Sequence, residues 1–227
     1  MKLKSNAQRA KNAILLTWIV LGLTVISLFS SYMQYDLLQI AVNDGYITEE
    51  QANANDNREA FIGIVLGIAS IVFLIIFIMW FRRAYYNIHQ KLNSRRLTFS
   101  EGWAAGAWFV PIINLFRPYQ IMKELYYETK KLLTDKGYTV SYTTNCLGWW
   151  WALWIISVII GQVLFRTWLK QPETLDEFIS ATTLDMVSSV VEIVLAIVTI
   201  KVIKDYSLVE PLLFEINDEN EKTIVGE

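Results

Sequence analysis

The chain has 227 residues, of which 54% are apolar and 14% aromatic, and its formal net charge is −2. Soluble domains contain about 45–50% apolar residues, so this composition favours a membrane protein, and the small net charge gives no reason to expect a nucleic-acid partner. One cysteine, Cys146, and one histidine, His89, exclude an internal disulfide and any metal site that needs two histidines or several cysteines, and we expect no cofactor.

Four stretches are long and apolar enough to cross the bilayer core, which takes about 20 apolar residues. They are residues 13–33, 60–81, 147–169 and 182–203. Basic residues precede the first stretch, as they precede a signal peptide, but its apolar run is too long for one and no A-x-A-like site follows. We therefore expect a retained anchor. The predicted fold is an all-α integral membrane four-helix bundle over residues 1–204, followed by an acidic, mobile cytoplasmic tail over residues 205–227.

A fifth apolar stretch, residues 103–116, is too short to cross. Its 14 residues would give a helix of about 21 Å, against a core of ~30 Å, and Pro111 removes one backbone donor. We expect a half-inserted segment, either re-entrant or interfacial.

The distribution of charge supports this threading, because Lys and Arg gather in cytoplasmic loops. The loop over residues 34–59 has one basic residue against six acids, whereas ten basic residues lie between the second and third spans. All ten are cytoplasmic only if residues 103–116 do not cross. The sequence then predicts a multi-pass membrane protein with both termini in the cytoplasm.

Between the second and third spans the sequence predicts a cytoplasmic module. Residues 80–92 contain no Gly or Pro and should extend the second helix. Thr98 and Glu101 fit a capping box for a short helix that Pro111 ends. Residues 118–133 have apolar side chains at helical spacing, which predicts an amphipathic helix that either packs on the module or lies on the inner leaflet; we expect packing.

Two segments of this module, WFRRAYYNIH and GWAAGAWFVPIINLFRPYQIMKELY, resemble the signature of a bacterial membrane family known as domain of unknown function 4328. The resemblance covers Trp80 to Tyr126 and implies a bacterial multi-span protein, without implying an activity or catalytic residues. The pattern usually lacks a histidine at the position of His89, so it gives that residue no chemical role. The positions that fall on the pattern are Trp80, Arg83, Ala84, Tyr85, Asn87, Gly102, Trp103, Pro111, Asn114, Arg117, Pro118 and Glu124.

Ionisable residues inside membrane spans are costly and are usually paired or functional. Asp185 and Glu192 lie on one face of the fourth span, and Gln162 and Arg166 lie four residues apart on the third. Antiparallel packing would place Arg166 level with Asp185, and Gln162 near Glu192. We predict an intramembrane polar seam made of these four residues. A polar stripe on the first span can face the same seam; it consists of Thr17, Thr24, Ser27 and Ser31.

These features favour a non-enzymatic inner-membrane protein that binds a lipid headgroup or a protein partner at the cytoplasmic leaflet. Arginine is well suited to phosphate, although the positive-inside rule alone explains several of the arginines here. The expected arginines are Arg82, Arg83, Arg95, Arg96 and Arg117. The expected binding residues are Arg82, Arg83, Tyr85, Asn87, Asn114, Arg117 and Glu124.

Arg117 has two expected anchors, a lipid phosphate or one of the acids Glu124 and Glu101, and we favour the acid. The alternative function is a small transporter or channel that uses Glu192 in mid-membrane, with Asp185, Arg166 and Gln162. An enzyme is less expected, because no nucleophile–base pair or metal-ligand set is visible. The expected partners are membrane lipids, and a homo-oligomer or a membrane protein is compatible with the GxxxG at Gly63 and Gly67.

Overall fold

The structure is a computed structural model and describes residues 3–43, 45–92, 96–142, 144–170 and 172–216. The regular elements in these ranges are all helical. They are α1 (Ala7–Val42), α2 (Glu49–Lys91), α3 (Trp103–Gly106), α4 (Arg117–Asp135), α5 (Asn145–Lys170), α6 (Leu175–Val209) and α7 (Leu212–Glu215), with a 3₁₀ turn at Ile113–Leu115.

Four of these helices are long and apolar enough to cross a membrane, namely α1, α2, α5 and the helix that begins at Leu175. The prediction of four membrane-length helices is therefore confirmed and indicates a multi-pass membrane protein. Three of the helices are much longer than the predicted spans. The reason is visible in α2, where the polar flanks EEQANANDNRE and RRAYYNIHQK contain no Gly or Pro that would end a helix.

The chain divides into two compact units. Unit 1 contains Met1–Ala13, Ile76–Leu147 and Lys201–Glu227, and unit 2 contains Ile14–Ile75 and Gly148–Ile200. Helix α6 continues past residue 204, where the sequence predicted the start of a mobile tail, and ends at Val209.

The residues just after position 205 belong to the packed part of unit 1. Tyr206, Val209, Leu213 and Ile216 are buried there. They recur every three or four positions, which is the spacing of one helical face. Residues 217–227, the rest of the predicted tail, lie outside the described residues.

Helix α4 forms much of the core of unit 1. Its inner face, which includes Ile121, Met122, Leu125 and Leu133, is fully buried. Pro118 occupies the first turn, where its missing N–H has no role. Gly137 ends the helix with φ 84°, and the Tyr138 N–H donates to the Leu133 carbonyl at 2.9 Å. The residues that the sequence placed on the apolar face of this helix include these buried side chains.

Three tyrosines connect α4 to its neighbours in unit 1. The Tyr126 hydroxyl donates to the Val202 carbonyl of α6, and the Tyr142 hydroxyl donates to the Tyr126 carbonyl at 2.7 Å. The Tyr126 ring lies 4.9 Å from the Tyr142 ring and 5.5 Å from the Tyr206 ring, measured between centroids. Burial raises the pKa of both Tyr126 and Tyr142, so both phenols remain protonated donors at neutral pH.

The loop before α3 does not form the predicted capping box. Helix α3 begins after Gly102 with no side-chain cap. The Thr98 N–H donates instead to Glu124 Oε1 at 2.6 Å, and Glu101 lies 3.6 Å from Arg82. Charged partners on other helices thus replace the local capping bonds. The helix also ends at Gly106, well before Pro111, and the chain reverses at Ile112, where φ is 67°.

We predict that Tyr126→Phe lowers the free energy of unfolding by about 1 kcal/mol, because it removes one buried hydrogen bond to α6. For a chain of this size the thermal unfolding midpoint in detergent should fall by about 2–4 °C. The matched control is Tyr127→Phe, since the Tyr127 side chain is exposed and its loss should leave the midpoint unchanged. Equal midpoints for the two variants would contradict the role assigned to Tyr126.

Candidate functional site

A cluster of two amides and one carboxyl group lies buried in unit 1; we call Asn6, Asn87 and Glu210 the amide–carboxyl cluster. Asn87 Nδ2 donates to Glu210 Oε1 at 2.7 Å and to the Lys4 carbonyl at 2.9 Å, while its Oδ1 accepts the Lys4 N–H at 3.1 Å. Asn6 Nδ2 donates to Glu210 Oε2 at 3.0 Å and to the Trp80 carbonyl at 3.2 Å. The cluster thus joins the start of the chain, α2 and the end of α6.

Two members of this cluster, Glu210 and Asn6, were not among the binding residues expected from the sequence. Glu210 counted only as part of an acidic tail, yet it is 3% exposed, and a buried carboxyl group needs hydrogen-bond donors. The available signal was its position in the apolar run YSLVEPLLFEI. Asn6 gave no signal, because a single asparagine in a basic N-terminal segment is ordinary. Asn87 was among the expected binding residues, and the structure places it fully inside the protein.

A cavity of about 330 Å³ opens beside the cluster, and we call it the Asn6 cavity. Its walls are mostly apolar, through Ala7, Pro211 and Phe214, and its polar lining comes from Ser5, Asn6, Ser207 and Glu210. Asn6 is 3% exposed, and its Oδ1 has no hydrogen-bond partner among the described residues. A buried acceptor without a donor is unfavourable by about 1–3 kcal/mol. Within the described residues, a hydrogen-bond donor is therefore missing at Oδ1 of the Asn6 side chain.

Three arginines that interact electrostatically lie near this cluster; we call Arg9, Arg82 and Arg83 the arginine cluster. Arg9 Nη1 donates to the Met79 carbonyl at 3.0 Å, and Arg9 lies close enough to Arg82 and Arg83 to interact electrostatically with both. Arg82 also faces Glu101 at 3.6 Å, but both side chains are substantially exposed, so this ion pair is weak. Arg82 and Arg83 were among the expected binding residues, whereas Arg9 is one of the basic residues that precede the first span.

Tyr85 and Glu124, both expected binding residues, have internal partners instead. The Tyr85 hydroxyl donates to Glu124 Oε2, and the Phe99 carbonyl lies 3.1 Å from the same hydroxyl. His89 Nε2 lies 3.0 Å from that carbonyl and therefore acts as a donor. Together with the bond from Thr98 to Glu124, these contacts tie α2, the loop before α3 and α4 into one network. The network is structural, since Tyr85 is fully buried.

Arg117 does not form the favoured clamp to Glu124 or Glu101 among the described residues. Its guanidinium carbon lies 4.6 Å from the centroid of the Phe99 ring, and two further rings lie within 6 Å, those of Trp103 at 5.6 Å and Phe116 at 5.8 Å. The planar guanidinium stacks favourably on aromatic faces, and both acids are already engaged by α2. Of the other expected arginines, Arg96 is exposed beside the loop, and Arg95 lies outside the described residues.

The segment around Pro111 presents a surface of exposed apolar side chains that we call the apolar tip: Phe109, Val110, Ile112, Leu115 and Phe116. Phe109 is 71% exposed and Ile112 is 74% exposed. The base of the tip is anchored, because the Trp108 ring packs edge-on against Phe77 at 5.7 Å and Phe81 at 6.4 Å. Asn114, another expected binding residue, lies in the 3₁₀ turn, where its N–H donates to the Val110 carbonyl at 3.0 Å.

Unit 2 has a polar interior of its own. The stripe of Thr17, Thr24, Ser27 and Ser31 is buried, as its spacing on the first span suggested. Ser31 Oγ donates to Asp185 Oδ2 at 2.8 Å, which joins α1 to α6. Beside them lies a cavity of about 430 Å³, whose lining includes the carboxyl groups of Asp185 and Glu59.

The predicted seam of four residues is not assembled. Gln162 and Arg166 are exposed on α5, and Arg166 makes no ion pair within the described part of the chain. Helix α5 turns a different face inward, where the Trp150 Nε1–H donates to Thr199 Oγ1 at 3.0 Å. Glu192 is half-buried and takes a hydrogen bond from Ser188, one turn earlier on α6. Asp185 therefore pairs with a hydroxyl of α1 and not with Arg166.

The described ranges contain no group of three His, Cys, Asp or Glu side chains placed to hold a metal ion. Cys146 is half-buried and is not part of a disulfide.

Comparison with known proteins gives one match. The family model described as Domain of unknown function (DUF4328) matches residues 43–207, which is more than half of the chain. No curated protein matches, and no solved structure matches. The matched region contains Asn87, Arg82 and Arg83, whereas Asn6, Arg9 and Glu210 lie beyond it. The chain belongs to the family defined by this model, Domain of unknown function (DUF4328).

Proposed function

We propose that the protein binds the phosphate of a membrane-lipid headgroup at the cytoplasmic leaflet of the bacterial inner membrane, through the arginine cluster. The observation that carries the proposal is the convergence of Arg9, Arg82 and Arg83 from two helices. Like charges held together repel one another, and a bound anion removes that repulsion. A guanidinium binds phosphate oxygens through paired N–H donors, which gives geometry as well as charge.

The arginine cluster lies at the level expected for lipid headgroups. Arg9 precedes the predicted first span by four residues, and Arg82 directly follows the predicted second span, which ends at Phe81. The bond from Arg9 to the Met79 carbonyl holds these two helix ends side by side. Basic residues at the cytoplasmic ends of spans interact with lipid headgroups. The positive-inside rule accounts for the presence of basic residues here, but it does not require three of them to meet.

The apolar tip supports a membrane position for the same part of unit 1. Trp108 packs on Phe77 and Phe81, which belong to the last turn of the predicted second span. The exposed side chains of Phe109 and Ile112 would then reach the acyl boundary of the inner leaflet. Amphipathic segments bury apolar side chains about 5–10 Å into that boundary. We therefore propose an interfacial, half-inserted segment, with Arg117 stacked on aromatic rings at its return.

The threading can be tested by cysteine labelling in intact cells, with Cys146→Ser as the background. We expect single cysteines at Glu50 and Glu173, both exposed, to react with a membrane-impermeant maleimide from outside. A cysteine at Asp135, also exposed, should react only after the cells are opened. Labelling of the Asp135 position in intact cells would show that residues 103–116 cross the membrane, and the cytoplasmic placement of unit 1 would fail.

The lipid proposal predicts that phosphate is needed for binding. We expect the purified protein to retain phosphatidylglycerol in native mass spectrometry, and to retain much less diacylglycerol with the same chains. Arg9→Gln combined with Arg83→Gln should reduce phosphatidylglycerol retention by about tenfold or more, since hydrogen bonds to charged groups contribute about 1.5–3 kcal/mol each.

The matched control removes two positive charges elsewhere, by Lys123→Gln and Lys131→Gln on the exposed face of α4. This variant should retain phosphatidylglycerol like the wild type. Equal losses in both double variants would assign the effect to net charge and would refute a site at the arginine cluster.

The second candidate function is a small transporter or channel that uses Glu192 and Asp185. The observation in its favour is the 430 Å³ cavity of unit 2, which Asp185 and Glu59 line. Two findings weigh against the arrangement expected from sequence. Glu192 bonds within its own helix, and the side chains of Gln162 and Arg166 are exposed.

A proton-flux assay separates the two functions. We expect proteoliposomes that contain a pH-sensitive dye to leak protons no faster than empty vesicles, and Glu192→Gln to leave this leak unchanged. The substitution should shift the thermal midpoint only modestly, because it keeps the size of the side chain. If the wild type conducted protons faster than empty vesicles and Glu192→Gln abolished this flux, the result would support the transporter in place of the proposed lipid binding.

A further inference from the structure

We infer that the headgroup chemistry recognised by unit 1 is phosphoethanolamine, with its phosphate at the arginine cluster and its primary ammonium in the Asn6 cavity. This inference rests on the proposed function, and it assigns a second subsite to the same lipid. The ammonium would sit beside the acceptor atoms of Asn6 and Glu210.

The Asn6 cavity has the chemistry of an ammonium site. Asn6 Nδ2 faces both carboxyl oxygens of Glu210 and the Trp80 carbonyl, so the orientation of the amide follows from its partners. Oδ1 is then left as a buried acceptor without a donor among the described residues. The Glu210 carboxyl oxygens accept bonds from two amides and have capacity for one more donor. An ammonium group supplies three N–H donors and a positive charge.

The two subsites are neighbours in the arrangement that phosphoethanolamine requires. Asn6 contacts the carbonyl of Trp80 and Arg9 contacts the carbonyl of Met79, which are consecutive residues of α2. Arg83 interacts electrostatically with Arg9 and also with Glu210. The anion-binding and cation-binding groups therefore lie side by side, as phosphate and ammonium do when two carbons separate them.

The order of the subsites along the chain matches the order of the headgroup. Asn6 comes three residues before Arg9 and one residue before α1 begins, so it lies about one helical turn farther from the predicted span. In phosphoethanolamine the phosphate is nearer the acyl chains and the ammonium is the outer group. The cavity beyond the polar atoms is lined by Ala7, Pro211 and Phe214, which suits the two methylene groups.

This chemistry distinguishes phosphoethanolamine from related headgroups. A choline headgroup carries a quaternary ammonium, which has no N–H to donate to Asn6 Oδ1. A glycerol headgroup offers hydroxyl donors but no positive charge for Glu210. Successive N-methylation of ethanolamine removes one donor at a time and should weaken binding in steps.

The test compares lipids with identical acyl chains by native mass spectrometry of the full-length protein: phosphatidylethanolamine, its N-monomethyl and N,N-dimethyl forms, phosphatidylcholine, phosphatidylglycerol and the phosphate-free diacylglycerol. We expect phosphatidylethanolamine to be retained about tenfold more than phosphatidylcholine, as follows from charged hydrogen bonds of about 1.5–3 kcal/mol, with the methylated forms in between. Glu210→Gln should abolish this preference. The control Glu215→Gln, at an exposed acid of α7, should keep it.

The methylation series on the wild type gives a result even if Glu210→Gln does not fold. Equal retention of phosphatidylethanolamine and phosphatidylcholine would overturn the ammonium subsite, while a remaining preference for phosphatidylglycerol over diacylglycerol would leave the proposed function standing. If the protein retained phosphatidylglycerol and phosphatidylethanolamine no better than diacylglycerol, both the ammonium subsite and the proposed function would be refuted. Competition by free glycerophosphoethanolamine identifies the source of the phosphoethanolamine group. If this compound displaces the lipid, the site recognises the headgroup alone and can also bind a soluble compound. If it does not, the site needs the membrane lipid.

Discussion

The burial of one carboxyl group, that of Glu210, is the constraint on which unit 1 depends. A buried carboxyl group without donors would destabilise the fold, and here two asparagine amides supply them. Asn87 and Asn6 approach Glu210 from α2 and from the residue before α1, so satisfying one side chain fixes three chain segments relative to one another. The Lys4 N–H donates to the Asn87 side chain, and the Lys4 carbonyl accepts a hydrogen bond from it. The amide that bonds to Glu210 therefore also holds the Lys4 backbone in place.

The candidate binding groups follow from this arrangement. Once Asn6 is docked on Glu210 and Trp80, the first turn of α1 lies beside α2, and Arg9 reaches the Met79 carbonyl close to Arg82 and Arg83. The Asn6 amide that bonds to Glu210 also leaves its own oxygen without a donor within the described parts of the chain. The amide–carboxyl cluster thereby positions both the arginine cluster and the buried acceptor atom of Asn6, on which the proposed headgroup site is based.

The family pattern and the proposed site overlap only in part. Among the pattern positions, Trp80, Ala84, Tyr85 and Asn87 are fully buried and hold unit 1 together. Asn6, Arg9 and Glu210 lie outside the residues that the family model matches. The pattern therefore describes mainly how unit 1 is built, and part of the proposed recognition chemistry comes from the two ends of the chain. Unit 2 has a separate polar interior, in which Ser31 of α1 and Asp185 of α6 are paired.

The sequence by itself determined the four membrane-length helices, the buried stripe of the first span and the amphipathic character of α4, because these depend on local composition and on a helical period of 3.6 residues. It could not determine which side chains meet. The partner of Asp185 proved to be Ser31 and not Arg166, because the rotation of α5 is set by its packing, with Trp150 bonded to Thr199. Arg117 stacks on aromatic rings because Glu101 and Glu124 are held from α2. Only the tertiary structure brought Asn6, Asn87 and Glu210 together. Asn87 and Glu210 are 123 positions apart in the sequence, and Asn6 and Glu210 are 204 positions apart. No periodicity within a single helix records a contact over such distances.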